Sequence, residues 1–61
     1  MEYVVEIESG AGERAVKEYD ASSAYELNFV VRHDLRQYPA FRVVRASPKT
    51  DPGRQVFITT P

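Results

Sequence analysis

The stretch that decides the fold is residues 23–38, which read SAYELNFVVRHDLRQY. Its apolar residues recur every three or four positions and fall on one stripe of a helix: Leu27, Val30, Val31, Leu35 and Tyr38. Ser23 and Glu26 have the spacing of a capping box, in which the serine hydroxyl accepts from the Glu26 N–H and the carboxylate accepts from the Ser23 N–H. Pro39 ends the element, because the residue before a proline is pushed out of the helical region. This pattern predicts a helix over 23–38.

Segments typical of strands flank the predicted helix on both sides. Four of them alternate apolar and polar residues or are rich in β-forming residues: 2–8, 13–21, 41–46 and 54–60. A glycine-containing turn over 9–12 joins the first two, and a proline-containing loop over 47–53 joins the last two. The order ββαββ predicts a single α+β domain over 1–61. We expect a four-stranded, mainly antiparallel sheet with the helix packed on one face.

This architecture predicts which side chains form the core. The expected members are Tyr3, Val5, Ile7, Tyr19, Ala21, Leu27, Val30, Val31, Leu35, Tyr38, Phe41, Val43, Val56 and Ile58. Lys17 has the same parity as Tyr19 and Ala21. A lysine with core parity must lie at the strand's edge, or a bulge must shift the register.

Length and composition exclude several classes of protein. The chain has 61 residues, no cysteine and one histidine, so it has no disulfide, and we predict no metal site and no cofactor. The N-terminus is acidic and strand-like, which is unlike a signal peptide, and no apolar run approaches the ~18 residues of a membrane span. We expect a complete small gene product located in the cytoplasm, a location with which the absence of cysteine agrees.

Charge is distributed unevenly along the chain. Residues 1–26 carry seven acidic and two basic side chains, a net −5, and residues 27–61 carry six basic and two acidic side chains, a net +4. Such asymmetry indicates either a charged binding surface or two halves that interleave in one sheet and pair their charges across strands. We favour pairing across strands.

The solvent face of the predicted helix carries more than polar residues. Tyr25 and Phe29 are four positions apart, Arg32 and Arg36 continue the same row, and His33 lies beside it. One interpretation is that the two rings pack on each other and on the arginine stems. The other is that this face meets a protein partner, since interfaces are enriched in aromatic residues and arginine. We favour the second and predict partner-binding roles for all five residues.

The sequence argues against an enzyme. Ser22 and His33 lie about 16 Å apart by helical rise, too far for nucleophilic catalysis, and no glycine-rich phosphate loop is present. We therefore predict a small non-enzymatic protein-binding module. It would act as a regulator, inhibitor or accessory factor of the kind that phages and mobile elements encode.

Two further expectations concern partners. A nucleic-acid-binding protein is the alternative function, in which the basic second half contacts nucleic acid or an acidic partner through Arg42, Arg45, Lys49 and Arg54. The low pI, about 5.7, argues against it. We also predict a homodimer, because one helix cannot cover all the apolar residues. It would form through the Tyr25/Phe29 helix face or through the outer face of the sheet, which would carry Val4, Val16, Val44 and Phe57.

Overall fold

Three antiparallel strands and one helix form the fold in a computed structural model, which describes residues 1–58. The elements in chain order are β1 (Glu2–Ser9), β2 (Arg14–Asp20), α1 (Ala24–Leu35) and β3 (Phe41–Pro48). The strand order in the sheet is β2-β1-β3, so β1 is central and pairs antiparallel with both neighbours. The predicted α+β class is confirmed.

The predicted fourth strand is wrong for the residues that the structure describes. Of residues 54–58, only Val56 is bridged to the sheet, by an N–H bond of 2.8 Å to the carbonyl of Ala46, and Thr59 and Thr60 lie outside the described residues. Extending this bridge in one direction would require Pro48, which has no N–H to donate. Extending it in the other direction would require Val44, where a bulge bends β3 and disrupts the pairing.

The bulge in β3 also decides which of its residues enter the core. Glu6 pairs with Arg45 and the next residue, Ile7, pairs with Val43, which leaves Val44 without an opposite residue. Strict alternation from Val43 would turn Arg45 inward. With the extra residue, Arg45 lies opposite Glu6 on the outer face, and Ala46 becomes fully buried although the sequence did not predict it in the core.

The core lies between the sheet and α1. Its buried side chains come from β1, α1, β3 and the loop before the helix: Tyr3, Val5, Ile7, Ala21, Leu27, Val31, Leu35 and Ala46. Five predicted core residues are half-buried against them: Tyr19, Phe41, Val43, Val56 and Ile58. Val30 is also half-buried, and Tyr38 is 44% exposed, so its predicted place in the core is wrong.

Tyr38 lies outside the core because the helix is shorter than predicted. It ends at Leu35, and the N–H groups of Arg36, Gln37 and Tyr38 then donate to carbonyls three residues back, which is a tighter turn than α-helix. A residue in that turn no longer follows the helical stripe. Tyr38 instead makes an edge-on contact with Phe41, with 6.4 Å between ring centroids.

The start of α1 confirms half of the predicted capping box. Ser23 is the N-cap, and its hydroxyl accepts from the Glu26 N–H at 3.1 Å. The Glu26 carboxylate does not return to Ser23. It accepts from the N–H and the hydroxyl of Ser22, and these two bonds lower the pKa of Glu26.

Candidate functional site

The solvent face of α1 carries a row of exposed aromatic and basic residues. Tyr25 is 85% exposed and Phe29 is 71% exposed. Arg32 and Arg36 continue the row and are also exposed, as is His33 beside them. Tyr25, Phe29, Arg32 and Arg36 are called the aromatic–arginine row below. Helical spacing of four, three and four residues keeps all four on one side of the helix, away from the buried Leu27 stripe.

Among residues 1–58, no ion pair or ring contact involves this row. Neither arginine forms an ion pair within residues 1–58. In the same part of the chain, the aromatic pair in ring contact is Tyr38–Phe41 rather than Tyr25–Phe29. Tyr25 and Phe29 therefore do not stack on each other in the described chain, and both rings face solvent over most of their area.

A groove opens beside this row, between α1 and the start of β3. Its volume is about 580 Å³. Three apolar side chains form its floor and three arginines its rim: Val31, Leu35 and Phe41, then Arg32, Arg36 and Arg42. This space is called the arginine groove below. It exists because α1 contacts β2 more extensively than β3, which leaves the first residues of β3 uncovered.

The other predicted basic contacts do not join the arginine groove. Lys49 lies 2.8 Å from a Glu18 carboxylate oxygen and 3.4 Å from one of Glu2, and its hydrogen bonds to these two acids raise its pKa. Arg45 donates to the carbonyl of Pro52 on the loop after β3. Arg54 is exposed. Of the four residues predicted to contact nucleic acid, only Arg42 lines the groove together with helix arginines.

The uneven charge of the chain is partly neutralised across the sheet, as predicted. Glu8 lies 3.7 Å from Arg14 on β2 and 3.9 Å from Arg42 on β3. The Glu8–Arg42 pair and the contacts of Lys49 bring acids of the first half against bases of the second half, whereas Arg14 belongs to the first half itself. The pairs are exposed or half-exposed, so water screens them and each contributes little to stability.

A polar cluster at the edge of the sheet was not predicted. Lys17 Nζ and the Tyr19 hydroxyl both donate to Oδ2 of Asp34, each at 2.5 Å. The ammonium group of Lys17 also lies 4.6 Å from the centroid of the Tyr38 ring. These hydrogen bonds, from Lys17 first and Tyr19 second, hold the pKa of Asp34 below its usual range. Burial, reinforced by the bond to Asp34, raises the pKa of the Tyr19 phenol.

Part of this cluster was visible in the sequence. Lys17 faces the helix side of the sheet, opposite Val5, on the edge strand β2, and the β1–β2 register has no shift. Lys17 lies in the middle of β2 and no bulge shifts the register, so the sheet accommodates it because β2 is an edge strand. Its partner Asp34 belongs to another element, so periodicity within β2 does not reveal it. The cluster joins helix to sheet and contains no reactive arrangement, so we treat it as structural.

The described part of the chain, residues 1–58, contains no group of three or more His, Cys, Asp or Glu side chains that could hold a metal ion. It also contains no helix of the length and apolar character needed to cross a membrane.

Comparison with known proteins finds no matching protein family, no matching curated protein and no matching solved structure.

Proposed function

We propose that this chain is a small non-enzymatic protein-binding module that contacts its partner through the aromatic–arginine row. The observation that carries the proposal is the exposure of Tyr25 and Phe29, 85% and 71%, beside two arginines without ion pairs in the described chain. Large rings at the centre of an interface, with arginines around them, are the residues that most often dominate binding energy.

The contacts that the basic residues already make favour a protein partner over nucleic acid. A nucleic-acid surface needs a continuous row of cations that are free to neutralise phosphates. Lys49 is occupied by Glu2 and Glu18, Arg45 bonds to a backbone carbonyl, and the net charge of the chain is −1. The arginines that stay available flank apolar surface, an arrangement that suits a protein interface better than a phosphate backbone.

The wider proposal follows from the same features. The module acts as a regulator, inhibitor or accessory factor, of a type that phages and mobile elements also encode. Its location is the cytoplasm, which the absence of cysteine supports. It forms a homodimer at micromolar concentration, because a marginal domain of 61 residues gains stability when it buries exposed rings.

Affinity capture with matched variants tests the proposal. The tagged chain is immobilised and exposed to an extract of its source cells at moderate salt, and bound proteins are identified by mass spectrometry. We expect at least one protein that the wild type retains and Phe29→Ser loses. Phe57→Ser is the matched control, because Phe57 is 83% exposed but lies outside α1, and this variant should retain the partner.

A different pattern of capture contradicts the proposal. If no retained protein depends on Phe29, the row is not a binding surface. If DNA or RNA is retained instead and is released steeply as salt rises, the nucleic-acid alternative replaces it.

A further inference from the structure

We propose that the arginine groove binds an acidic segment of the protein partner, with one apolar side chain of that segment on the groove floor and carboxylates at the rim. This inference rests on the proposed function, since it names the chemistry of what the module recognises. It places the specificity of the module in the space between α1 and β3, beside the aromatic–arginine row.

The shape and composition of the groove suit such a segment. Its volume of about 580 Å³ lies within the ~300–1,000 Å³ typical of binding pockets. The floor of Val31, Leu35 and Phe41 offers apolar contact for one aliphatic or aromatic side chain. The rim carries three positive charges, and arginine binds carboxylates with two parallel hydrogen bonds.

The rim arginines are available to a ligand. Arg32 and Arg36 have no ion pair in the described part of the chain. Among residues 1–58, the ion pair of Arg42 is a loose one, 3.9 Å to a carboxylate of Glu8, and Glu8 is shared with Arg14. Three cations around one apolar floor repel each other until an anion joins them, so charge complementarity selects an acidic ligand.

The positive rim of the groove does not continue across the sheet. The N–H of Gly10 donates to the carbonyl of Ala40 at 3.3 Å, and both residues line the groove, so the turn after β1 forms one of its walls. Arg45 faces the other side of the sheet, opposite Glu6, and does not extend the positive rim. A short acidic peptide with an apolar anchor matches this single pocket better than a chain of evenly spaced phosphates.

Gly10 offers a way to close the groove without disturbing the fold. A Cβ at this position meets no atom within 4 Å, and the positive-φ glycine of the described chain is Gly12 rather than Gly10. Gly10→Glu therefore adds a negative charge at the groove wall, and Gly10→Gln adds nearly the same volume without the charge. The pair separates electrostatic repulsion from simple blockage.

The experiment is an NMR titration of the ¹⁵N-labelled full chain with capped peptides. The probe is EELEE, and its controls are QQLQQ, which lacks the carboxylates, and EESEE, which lacks the apolar anchor. We expect EELEE to shift the amides of Gly10, Arg36, Ala40 and Arg42, and each control to bind about tenfold more weakly or not at all.

Variants then assign the binding to the rim. Arg42→Gln should weaken EELEE binding by about tenfold, the effect of losing one charge-assisted hydrogen bond, and Gly10→Glu should do at least as much. Arg54→Gln removes the same charge from an exposed site outside the groove and should change the affinity less than about twofold. Gly10→Gln should bind more tightly than Gly10→Glu.

Three outcomes overturn the inference. EELEE produces no shifts at millimolar concentration, its shifts lie outside the groove, or an oligonucleotide of eight thymidines binds the groove more tightly than EELEE. Failure here is distinct from failure of the proposed function. A captured partner that depends on Phe29 but tolerates Gly10→Glu and Arg42→Gln leaves the module intact and refutes only the acidic segment.

Discussion

Replacing Asp34 by asparagine tests how much the polar cluster at the sheet edge holds α1 on the sheet. Asparagine keeps the shape of the side chain but removes the charge that accepts from Lys17 and Tyr19, both at 2.5 Å. Hydrogen bonds to a charged group contribute ~1.5–3 kcal/mol each. The Asp34 and Lys17 side chains are 29% and 30% exposed, so water weakens the pair, and asparagine still accepts weakly. We therefore expect Asp34→Asn to lower the free energy of unfolding by about 2 kcal/mol in total.

Thermal and urea denaturation measure this loss. For a domain of this size, about 2 kcal/mol corresponds to a fall in Tm of roughly 8–16 °C. Asp51→Asn is the matched control, because Asp51 is exposed and its carboxylate forms no ion pair in the described residues, so its Tm should hardly move. If Asp34→Asn has the same Tm as Asp51→Asn, the polar cluster does not stabilise the fold.

The same cluster predicts how stability depends on pH. The pKa of Asp34 is lower in the folded chain than in the unfolded chain, so its contribution is present above about pH 4 and is lost as pH falls through the folded pKa. The pKa of Tyr19 is raised in the folded chain, so its contribution is present below about pH 10 and is lost at higher pH. The stability difference between wild type and Asp34→Asn should therefore shrink below about pH 4. A difference that stays constant down to pH 2 would contradict the assignment.

Three other predictions can be tested directly. Light scattering should show a dimer at micromolar concentration, and a mass of 6.9 kDa throughout that range would refute self-association. If Phe29→Ser or Phe57→Ser dissociates the dimer, the substituted residue identifies the interface. Ser23→Ala should lower the free energy of unfolding, measured by urea denaturation, by about 1 kcal/mol, and Ser23→Gly should lower it by only a few tenths of that. Equal losses would argue against a capping role of the Ser23 side chain. Leu27→Ala should cost ~2–5 kcal/mol, enough to leave a substantial unfolded fraction by circular dichroism, and a fully folded variant would contradict its place at the centre of the core.

Local patterns in the sequence predicted the parts of the fold that depend on one element at a time. Alternation placed Tyr3, Val5 and Ile7 on the buried side of β1, and helical spacing placed Leu27 and Val31 against them. These signals work because the period of a strand or helix is fixed by its own backbone.

The features that the sequence did not predict depend on how two elements pair or pack against each other. The bulge at Val44 is set by pairing with β1, and it decided both the burial of Ala46 and the absence of a fourth strand among the described residues. The partner of Lys17 came from α1. The arginine groove depends on α1 lying nearer β2 than β3, and no pattern within α1 encodes that position.

The exposed row illustrates what the sequence did and did not indicate about the site. The excess of Tyr25 and Phe29 on the polar side of a helix was a usable signal, and their exposure agrees with it. Arg42 was grouped with the strand and loop cations, although the structure puts it beside Arg32 and Arg36. Arg42 lines the groove because the start of β3 lies next to the end of α1.

Lys17 lies on a strand whose edge is open to other molecules. Within residues 1–58 the strand order leaves one side of β2 without a neighbour, so its backbone N–H and carbonyl groups form an open template for strands of other molecules. A strand added there would cover Lys17 and remove the remaining water from its ammonium group. The carboxylate of Asp34, which accepts from Lys17, already accepts from Tyr19 as well. An inward-pointing lysine is one of the devices that make such stacking unfavourable. We therefore expect Lys17→Val to promote fibrillar, edge-to-edge association.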